Sequence, residues 1–316
     1  MSSRNRWIGT LAAGLAVLAG CRGDGGEPVA RLVAEPMELT VAYGTYAGLS
    51  VSWTPAAEPE GASGDLRVFL HLLDEDGVLA RTFDHGFPGT WSVGEERSYR
   101  VPVYQSLLAP PLPPGRYSLT AGLYDGENNR WPLDFEGQRV GRHEYRVAEV
   151  QVPARGAELP AVQFSPTWSP TLAGADRQVV AFRWLAGEGE IRLAEIPEDG
   201  TLWMVLRIPG AQEAGATRRL LPEREEGEGE DGGEDRAADE DGEAPATAGE
   251  PGVSLTASCS GFEAQVSGEG RHDLEVPVTG GSECVVTLTP NYAMESQAGD
   301  DRTVLLEVLA WRPAGG

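Results

Sequence analysis

The stretch Arg116-Tyr117-Ser118-Leu119-Thr120-Ala121-Gly122-Leu123-Tyr124 decides the fold class of this chain. Its apolar side chains alternate with small or polar ones, which is the period of a β-strand with one buried and one wet face. Turn-forming residues precede it, at Pro110-Pro111 and Pro113-Pro114. Proline is common in turns because its ring fixes one backbone angle. The stretch therefore predicts a strand of an antiparallel sheet.

Similar runs surround this strand. Val68-Phe69-Leu70-His71-Leu72-Leu73 is apolar at nearly every position, as in a strand buried on both faces, and His71 is interpreted as a core histidine with its hydrogen bonds satisfied. Asp74-Glu75-Asp76-Gly77 follows it with Asp-Gly hairpin chemistry. Further strand candidates are Met37–Tyr43, Gly48–Thr54, Val78–Phe83, Arg97–Val103 and Tyr145–Val152. With no sustained helical period, the region 36–153 is predicted to be an antiparallel β-sandwich.

Two of these segments resemble a known family. Leu112-Pro113-Pro114-Gly115-Arg116-Tyr117-Ser118-Leu119, with Gly122-Leu123-Tyr124-Asp125 after it, resembles the late hairpin of immunoglobulin-like and fibronectin-type modules. In those modules proline and glycine precede a strand whose tyrosine braces the corner. Together with Val68–Leu73 and Trp91-Ser92-Val93-Gly94-Glu95, the region resembles a sandwich domain common on bacterial surface proteins. The resemblance implies an immunoglobulin-like fold and brings no catalytic residues.

A second all-β domain is predicted over 160–313, after a short linker at 154–159. Thr201–Ile208 is its strongest strand candidate because almost every residue is apolar. The other candidates are Val179–Trp184, Glu190–Ala194, Val253–Ser258, Phe262–Val266, His272–Val278, Cys284–Thr289 and Val304–Leu309. Phe182-Arg183-Trp184 and Asp300-Asp301-Arg302 resemble parts of galactose-binding-like jelly rolls. That resemblance implies sugar binding only by analogy of fold.

An acidic run interrupts the second domain. From Glu223 to Glu250 there are thirteen acidic residues and two arginines, with no aromatic residue. Like charges repel and no apolar side chains are present to bury, so a disordered insert is predicted at about 211–251. One interpretation is a solvated loop that tolerates any length. The other is a weak site for calcium or a basic partner.

The first residues have the pattern of an export signal. Arg4 and Arg6 precede an uncharged run from Trp7 to Gly20, which is too short to span a membrane. Leu18-Ala19-Gly20-Cys21 resembles the lipobox of bacterial lipoproteins. The resemblance implies that 1–20 is a signal peptide and that Cys21 carries diacylglyceryl and acyl (palmitate-type) chains. The alternative is an ordinary signal peptide with an incidental cysteine.

The lipoprotein resemblance also implies a location. Residues 21–35, rich in Gly, Glu and Ala, are predicted to be a flexible tether. The position after the cysteine is Arg22, where an aspartate would favour inner-membrane retention. The expected location is therefore the cell envelope, with the outer membrane favoured.

Charge and cysteine usage limit the partners. The chain has 49 acidic and 25 basic residues in 316, a net charge of −24, which disfavours nucleic acid and anionic lipid headgroups. In an exported protein, Cys259 and Cys284 are more simply a disulfide than a metal site. Asp74, Asp76 and Asp84 could supply oxygen ligands to calcium, but their spacing does not match the EF-hand pattern and ordinary turn chemistry is the simpler interpretation.

Candidate ligand contacts are aromatic. Tyr124 and Trp131 flank the polar loop Asp125–Arg130, an arrangement that suits stacking against a sugar, with Trp168 as a further platform. The alternative is a hairpin with both rings packed beneath it. No GxSxG, HExxH, SxxK or phosphate-binding glycine loop occurs in the sequence.

We therefore expect a lipid-anchored envelope lipoprotein without a cofactor that acts as a non-catalytic binding or structural module. Its expected contacts are the membrane, through the lipid on Cys21, and an envelope protein or polysaccharide. Two alternatives stay open: a carbohydrate-binding surface protein, and an accessory subunit of a secretion or surface-assembly complex that pairs an edge strand with its partner.

Overall fold

The computed structural model of the chain describes residues 26–210, 216–220, 250–296 and 302–315. The leader, Cys21 and the acidic run from Glu223 to Gly249 lie outside these ranges, so the predictions of a signal peptide, a lipid on Cys21 and most of the insert concern residues outside the described part of the chain. None of the described segments forms a helix with the length and apolarity needed to cross a membrane.

The described chain is all-β, as predicted. In chain order its strands are β1 (Ala30–Glu35), β2 (Glu38–Thr40), β3 (Tyr46–Pro55), β4 (Arg67–Leu73), β5 (Leu79–Thr82), β6 (His85–Gly86), β7 (Arg97–Tyr104), β8 (Gly115–Tyr124), β9 (Arg130–Trp131), β10 (Leu133–Asp134), β11 (Arg139–Gly141), β12 (Glu144–Val152), β13 (Ala161–Phe164), β14 (Leu172–Ala173), β15 (Ala181–Leu185), β16 (Gly189–Ala194), β17 (Gly200–Ile208), β18 (Ala216–Leu220), β19 (Gly252–Ala257), β20 (Phe262–Ser267), β21 (Gly270–Val278), β22 (Cys284–Pro290), β23 (Tyr292–Ser296) and β24 (Val304–Pro313).

The first sandwich consists of two sheets. Sheet A has the order β10-β1-β3-β7, and sheet B has the order β11-β12-β8-β4-β5, with β2, β6 and β9 paired at its margins. Inward-facing side chains such as Trp53, Leu70 and Leu119 are fully buried between the sheets, and their neighbours in sequence point outward. The Tyr117 hydroxyl donates to the Pro113 carbonyl oxygen at 2.8 Å, which is the corner brace that the immunoglobulin-like resemblance implied.

The N-terminal strand corrects one prediction. Residues 21–35 were expected to form a tether, but 30–35 form β1, which pairs with β3 along its whole length. Ala30, Leu32 and Ala34 are buried, and the residues between them are exposed. Buried and exposed positions alternate along this segment, but two of the three buried residues are alanines, whose small side chains make the apolar face hard to recognise in the sequence. The folded body therefore begins before residue 36.

The second sandwich has sheet C, in the order β14-β15-β24-β17-β21, and sheet D, in the order β13-β16-β22-β19-β20. Strand β17 lies inside sheet C, between β24 and β21. Its Leu202, Met204 and Leu206 side chains enter the core of this sandwich, whereas Trp203 and Val205 belong to a separate cluster on the opposite face. Burial on both faces explains why this segment is apolar at almost every position.

A two-stranded sheet corrects the predicted insert. Between the undescribed residues 211–215 and 221–249, the structure describes Ala216–Leu220. These five residues form β18, which pairs antiparallel with β23. Backbone hydrogen bonding to β23 orders these residues although they lie next to the acidic run. Strand β23 was not among the predicted strands either. Tyr292 and Met294 on this strand are fully buried.

The predicted disulfide is confirmed between Cys259 and Cys284. It joins the turn after β19 to the start of β22, and these two strands are antiparallel neighbours in sheet D. The bridge therefore links two neighbouring strands within one sheet.

The two sandwiches share a buried contact. Tyr46 on β3 packs with Trp203, Val205, Val308 and Ala310 of sheet C, and all five side chains are buried. These residues lie on the outward faces of sheets A and C, so the two domains meet face to face. Burial of an aromatic cluster of this kind stabilises the contact.

The proline-rich loop between β7 and β8 reinforces this contact. Leu108 and Ala109 are part of the second sandwich's core, although the chain on either side of them belongs to the first sandwich. The Leu107 N–H donates to the Leu309 carbonyl oxygen at 2.8 Å, and the Leu309 N–H donates to Ser106 Oγ at 3.2 Å. The loop therefore joins the two domains by main-chain hydrogen bonds as well as by packing.

Candidate functional site: a cleft between the two sandwiches

Beside the domain contact the two outward sheet faces leave two grooves of ≈ 370 Å³ and ≈ 450 Å³. Arg100, Pro102 and Asp273 line both grooves, and the two adjacent grooves together are called here the cleft. The remaining lining residues are Tyr46, Gly48, Phe83, Asp84, His85, Tyr99, Val101, Tyr104, Trp203, Arg271, Glu275 and Arg312. Each groove has the volume of a small-ligand site, and domain interfaces are common places for such sites.

Two edge strands supply the side chains nearest the middle of the cleft. On β7, Arg100 and Pro102 alternate with the buried Val101 and Val103, so they point away from the first core. Strand β21 is the edge of sheet C and alternates in the same way around the buried Leu274. The period of two therefore places the polar side chains of both strands outward.

The aromatic base of the cleft is rigid. The Trp203 ring lies 5.3 Å from Tyr46 and 5.0 Å from Tyr104, and Tyr104 lies 5.1 Å from Phe83. Tyr46 and Trp203 are buried, and burial raises the pKa of the Tyr46 hydroxyl above its ordinary value. These rings pack sheets A and C against each other beneath the cleft.

One end of the cleft contains a histidine in a fixed tautomer. His85 Nδ1 lies 2.9 Å from the Phe83 carbonyl oxygen, which can only accept, so this nitrogen carries the proton. Nε2 then accepts from the Tyr99 hydroxyl at 2.7 Å, and the Tyr99 oxygen accepts from Trp53 Nε1 at 3.3 Å. Burial lowers the pKa of His85, which keeps the ring neutral. Both ring nitrogens are therefore engaged by protein groups.

Most charges around the cleft have protein partners. Arg312 lies 3.6 Å from Glu275, whose carboxylate also accepts from the Tyr46 hydroxyl at 3.2 Å. Arg271 Nε lies 3.7 Å from Oε2 of the buried Glu307. Asp84 Oδ1 accepts from the Leu70 N–H at 3.0 Å.

Arg100 and Asp273 differ from these groups. Among the residues that the structure describes, neither forms a hydrogen bond or an ion pair with another side chain, and both are exposed. The Arg100 guanidinium lies over Gly48, where an added Cβ would be 1.6 Å from Nε. A guanidinium and a carboxylate are thus both available in the middle of the cleft.

The sequence-predicted aromatic contacts lie elsewhere. Trp131 is 8% exposed, packs in the first core, and donates from Nε1 to the Glu60 carbonyl oxygen at 3.2 Å. Trp168 is also buried. The Tyr124 hydroxyl accepts from Arg67 Nε at 2.9 Å on the outer face of sheet B. The structure therefore does not bring Trp131 and Tyr124 together in one exposed stacking site, because the tryptophan ring is inside the protein.

The loop between these two aromatics is organised around Asp125. This side chain is fully buried and accepts from the N–H groups of Ser63, Glu127 and Asn129, each at 2.9 Å, and from Asn129 Nδ2 at 3.0 Å. Burial opposes its ionisation, but the hydrogen bonds from Asn129, Ser63 and Glu127 outweigh burial and lower the pKa of Asp125 to about 2. The loop is therefore a closed hairpin, which was the alternative interpretation of this segment.

The acidic candidates of the first hairpin also have structural partners. Asp74 Oδ1 accepts from the Asp76 and Val78 N–H groups at 3.0 and 2.8 Å, which closes the turn before β5. His71 is half-buried on the outer face of sheet B, between Asp84 at 3.6 Å and Glu144 at 3.9 Å. It lines a separate polar recess of ≈ 670 Å³ and not the cleft.

Sequence reasoning did not find the cleft residues as a site. Arg100 and Asp273 are polar residues in alternating strands, and nothing in either segment distinguishes them from ordinary surface residues. They are 173 positions apart in sequence (273 less 100) and come together only because sheet A packs on sheet C. The one usable signal was the apolar face of Thr201–Ile208, which indicated a second buried surface.

Comparisons with known proteins identify no family for this chain: no family model and no curated protein matches it. Among solved structures it is similar to trypsin-activated alpha-2-macroglobulin from Escherichia coli, at 12% identity and a TM-score of 0.22. It is also similar to the native conformation of E. coli alpha-2-macroglobulin, at 12% and 0.24, and to a mutant of Salmonella alpha-2-macroglobulin, at 15% and 0.20. The match covers 90%, 90% and 91% of this chain, in that order, but only 16%, 14% and 15% of those chains. Scores this low carry no argument about what the chain does.

Proposed function

We propose that this protein is a lipid-anchored, non-catalytic binding module of the bacterial cell envelope, and that the cleft is its ligand site. The observation that carries the proposal is the pair Arg100 and Asp273, which form no hydrogen bond or ion pair with another side chain of the described residues and share a cleft between two docked sandwiches. Groups held on opposite rigid sheets are positioned before a ligand arrives, so binding costs less ordering of side chains and loops.

The non-catalytic role is supported by the state of the one histidine in the cleft. His85 donates to a carbonyl and accepts from Tyr99, and its lowered pKa keeps it uncharged. A general base must reach the proton that it removes, and this ring already has a partner on each nitrogen. The surrounding groups are suited to hydrogen bonding and packing.

The anchor is supported by the sequence. Leu18-Ala19-Gly20-Cys21 resembles a lipobox, and Gly26, the first described residue, is five positions after the cysteine. Five residues span at most about 17 Å, so an acylated Cys21 would hold the first sandwich close to the membrane. The favoured location is the outer membrane, and the favoured partners are an envelope protein or polysaccharide.

Two measurements test this proposal. First, native protein should stay with membranes in high salt and leave them in detergent, and Cys21→Ser should become soluble. Second, the Cys21→Ser full chain is immobilised and offered peptidoglycan fragments, envelope polysaccharide and solubilised envelope proteins. We expect one fraction to be retained by this protein, to be lost with Arg100→Glu, and to be kept with Arg116→Glu.

Arg116 is a suitable control because its side chain is 69% exposed and it is distant from the cleft on β8, where it pairs with Glu149 at 3.7 Å. Equal retention by both arginine variants would contradict the cleft as the site. If the Cys21→Ser chain with no further substitution retains no fraction, the binding function itself is contradicted.

A specific observation favours a second candidate, which is assembly by strand addition. Strand β20 is one of the two edge strands of sheet D among the described strands and the longer of them, at six residues against four for β13, and it contains no proline. Such an edge can pair with an extended segment of a partner. The variant Gln265→Pro should abolish co-purification of an envelope partner under this candidate and leave it unchanged under the cleft proposal.

A further inference from the structure

Resting on the proposed function, we infer that the cleft takes a neutral, hydroxyl-rich ligand, a saccharide, held between the Arg100 guanidinium and the Asp273 carboxylate. The inference comes from the local charge of the cleft, from the hydrogen-bonding capacity of the two unpaired groups, and from the surface between them.

The local charge of the cleft differs from that of the whole protein. Three cationic side chains line it, Arg100, Arg271 and Arg312, and three anionic ones, Asp84, Asp273 and Glu275, so their charges cancel. The full chain carries −24. An anionic ligand would approach against the charge of the protein, and the balanced site has no net negative charge with which to select a cationic ligand. A neutral polar ligand avoids both difficulties.

Hydroxyl groups match the two unpaired side chains. A guanidinium only donates hydrogen bonds and an ionised carboxylate only accepts them, whereas a hydroxyl does both. A sugar ring with hydroxyls on neighbouring carbons can accept from Arg100 and donate to Asp273 at once. Hydrogen bonds to charged groups are the stronger ones, so two of them give useful affinity without a charge on the ligand.

Pro102 supplies the apolar surface that a sugar ring needs. It lines both grooves together with Arg100 and Asp273, and it is half-buried on β7. The half-buried Tyr99 and Tyr104 also line the first groove. The C–H face of a pyranose can pack on these apolar atoms while its hydroxyls reach the charged groups.

Prolines on both edge strands disfavour a peptide as the ligand. Pro102 on β7 and Pro277 on β21 have no N–H group, and each therefore removes a donor that an added strand would use. The edges that border the cleft are thus poorly suited to main-chain pairing, and recognition by side chains is favoured.

The test is a glycan array probed with the full chain carrying Cys21→Ser and with three further variants in that background: Arg100→Ala, Asp273→Asn and Arg116→Ala. We expect a group of neutral oligosaccharides to bind the parent and Arg116→Ala alike. Titration of the best ligand should show about 10- to 100-fold weaker binding for Arg100→Ala and for Asp273→Asn, the loss typical of one hydrogen bond to a charged group.

Each other outcome overturns a definite part of the inference. Binding only to sulfated, uronate or amino glycans would overturn the neutral class. Neutral-glycan binding that neither cleft variant weakens would place the ligand elsewhere. No glycan binding, with an envelope fraction still retained in an Arg100-dependent way, would overturn the saccharide and leave the proposed binding function standing. Thermal unfolding of each variant checks that it is folded.

Discussion

At the residue scale, the position of the Arg100 side chain depends on a glycine. Gly48 lies on β3 beneath the guanidinium, and an added Cβ there would collide with Nε at 1.6 Å. The colliding group is the flexible end of a side chain that can move into solvent. Arg100 can therefore be displaced from the cleft without a change in the cores.

This predicts a separation of binding from stability in Gly48→Ala. Because glycine inside a strand is less stable than alanine by about 0.5–1 kcal/mol, the free energy of unfolding should be unchanged or slightly higher. Ligand affinity, measured by titration, should fall as it does in Arg100→Ala. A variant that is less stable and still binds normally would contradict the assigned position of Arg100.

Asp125 gives a pH-dependent prediction at the same scale. Its hydrogen bonds lower the pKa of Asp125 to about 2, below the ordinary value for an aspartate. A depressed folded-state pKa contributes stability above the unfolded-state pKa, and that stability is lost as the pH falls through the folded-state value. The chain should therefore be more stable than Asp125→Asn at pH 6, with the difference shrinking between about pH 4 and pH 2. Chemical unfolding across this range measures it, and a constant difference would contradict the role of the ionised carboxylate.

At the element scale, the loop after β7 connects the two cores. Leu112 packs in the first core, whereas Leu108, four positions earlier, packs in the second. The Gln105 side chain holds the loop by donating to the Val41 carbonyl oxygen at 2.8 Å and accepting from the Leu112 N–H at 2.9 Å. Two leucines of one loop, Leu108 and Leu112, thus pack in the cores of different domains.

Replacing either leucine by alanine should therefore destabilise a different domain. Leu108→Ala should cost about 2–5 kcal/mol, the usual loss for a buried leucine, and should increase hydrogen exchange in β17 and β24. Leu112→Ala should increase exchange in β4 and β8 of the first sandwich. Exchange is measured by mass spectrometry on the full chain. Increased exchange confined to the first sandwich in both variants would contradict the insertion of Leu108 into the second.

The elements show where sequence reasoning succeeds and why it stops. Strand β8 was predicted close to its observed bounds because apolar and polar residues alternate along it, and β4 and β17 were predicted because almost every residue in them is apolar. Strand β1 was missed because alanines supply two of its three inward positions. Strand β18 was missed because its pairing with β23 outweighs the composition nearby.

The site was less predictable than the fold. Tyr124 and Trp131 were selected because aromatics flank a polar loop, but the same pattern arises when a ring closes the core beneath a hairpin. Arg100 and Asp273 line the same cleft only because sheet A packs on sheet C. No local sequence pattern predicts that packing.

At the scale of the whole molecule, the two sandwiches are expected to behave as one body. The aromatic contact around Trp203, the inserted Leu108 and the main-chain hydrogen bonds between the domains all act at the same junction. Trp311 adds another hydrogen bond between the domains, since its backbone N–H donates to the Gly44 carbonyl oxygen at 2.7 Å. Rigid docking is the condition for the cleft to exist before ligand binds, so the binding proposals depend on it.

The most direct test is the distance distribution between two spin labels, measured by pulsed electron paramagnetic resonance on the Cys21→Ser full chain. Labels at Val93 on the first sandwich and Glu263 on the second occupy exposed positions away from the cleft. Fixed docking predicts one narrow distribution, which broadens when Leu108→Asp and Trp203→Ala are introduced together. A broad or multiple distribution in the otherwise unaltered protein would contradict it.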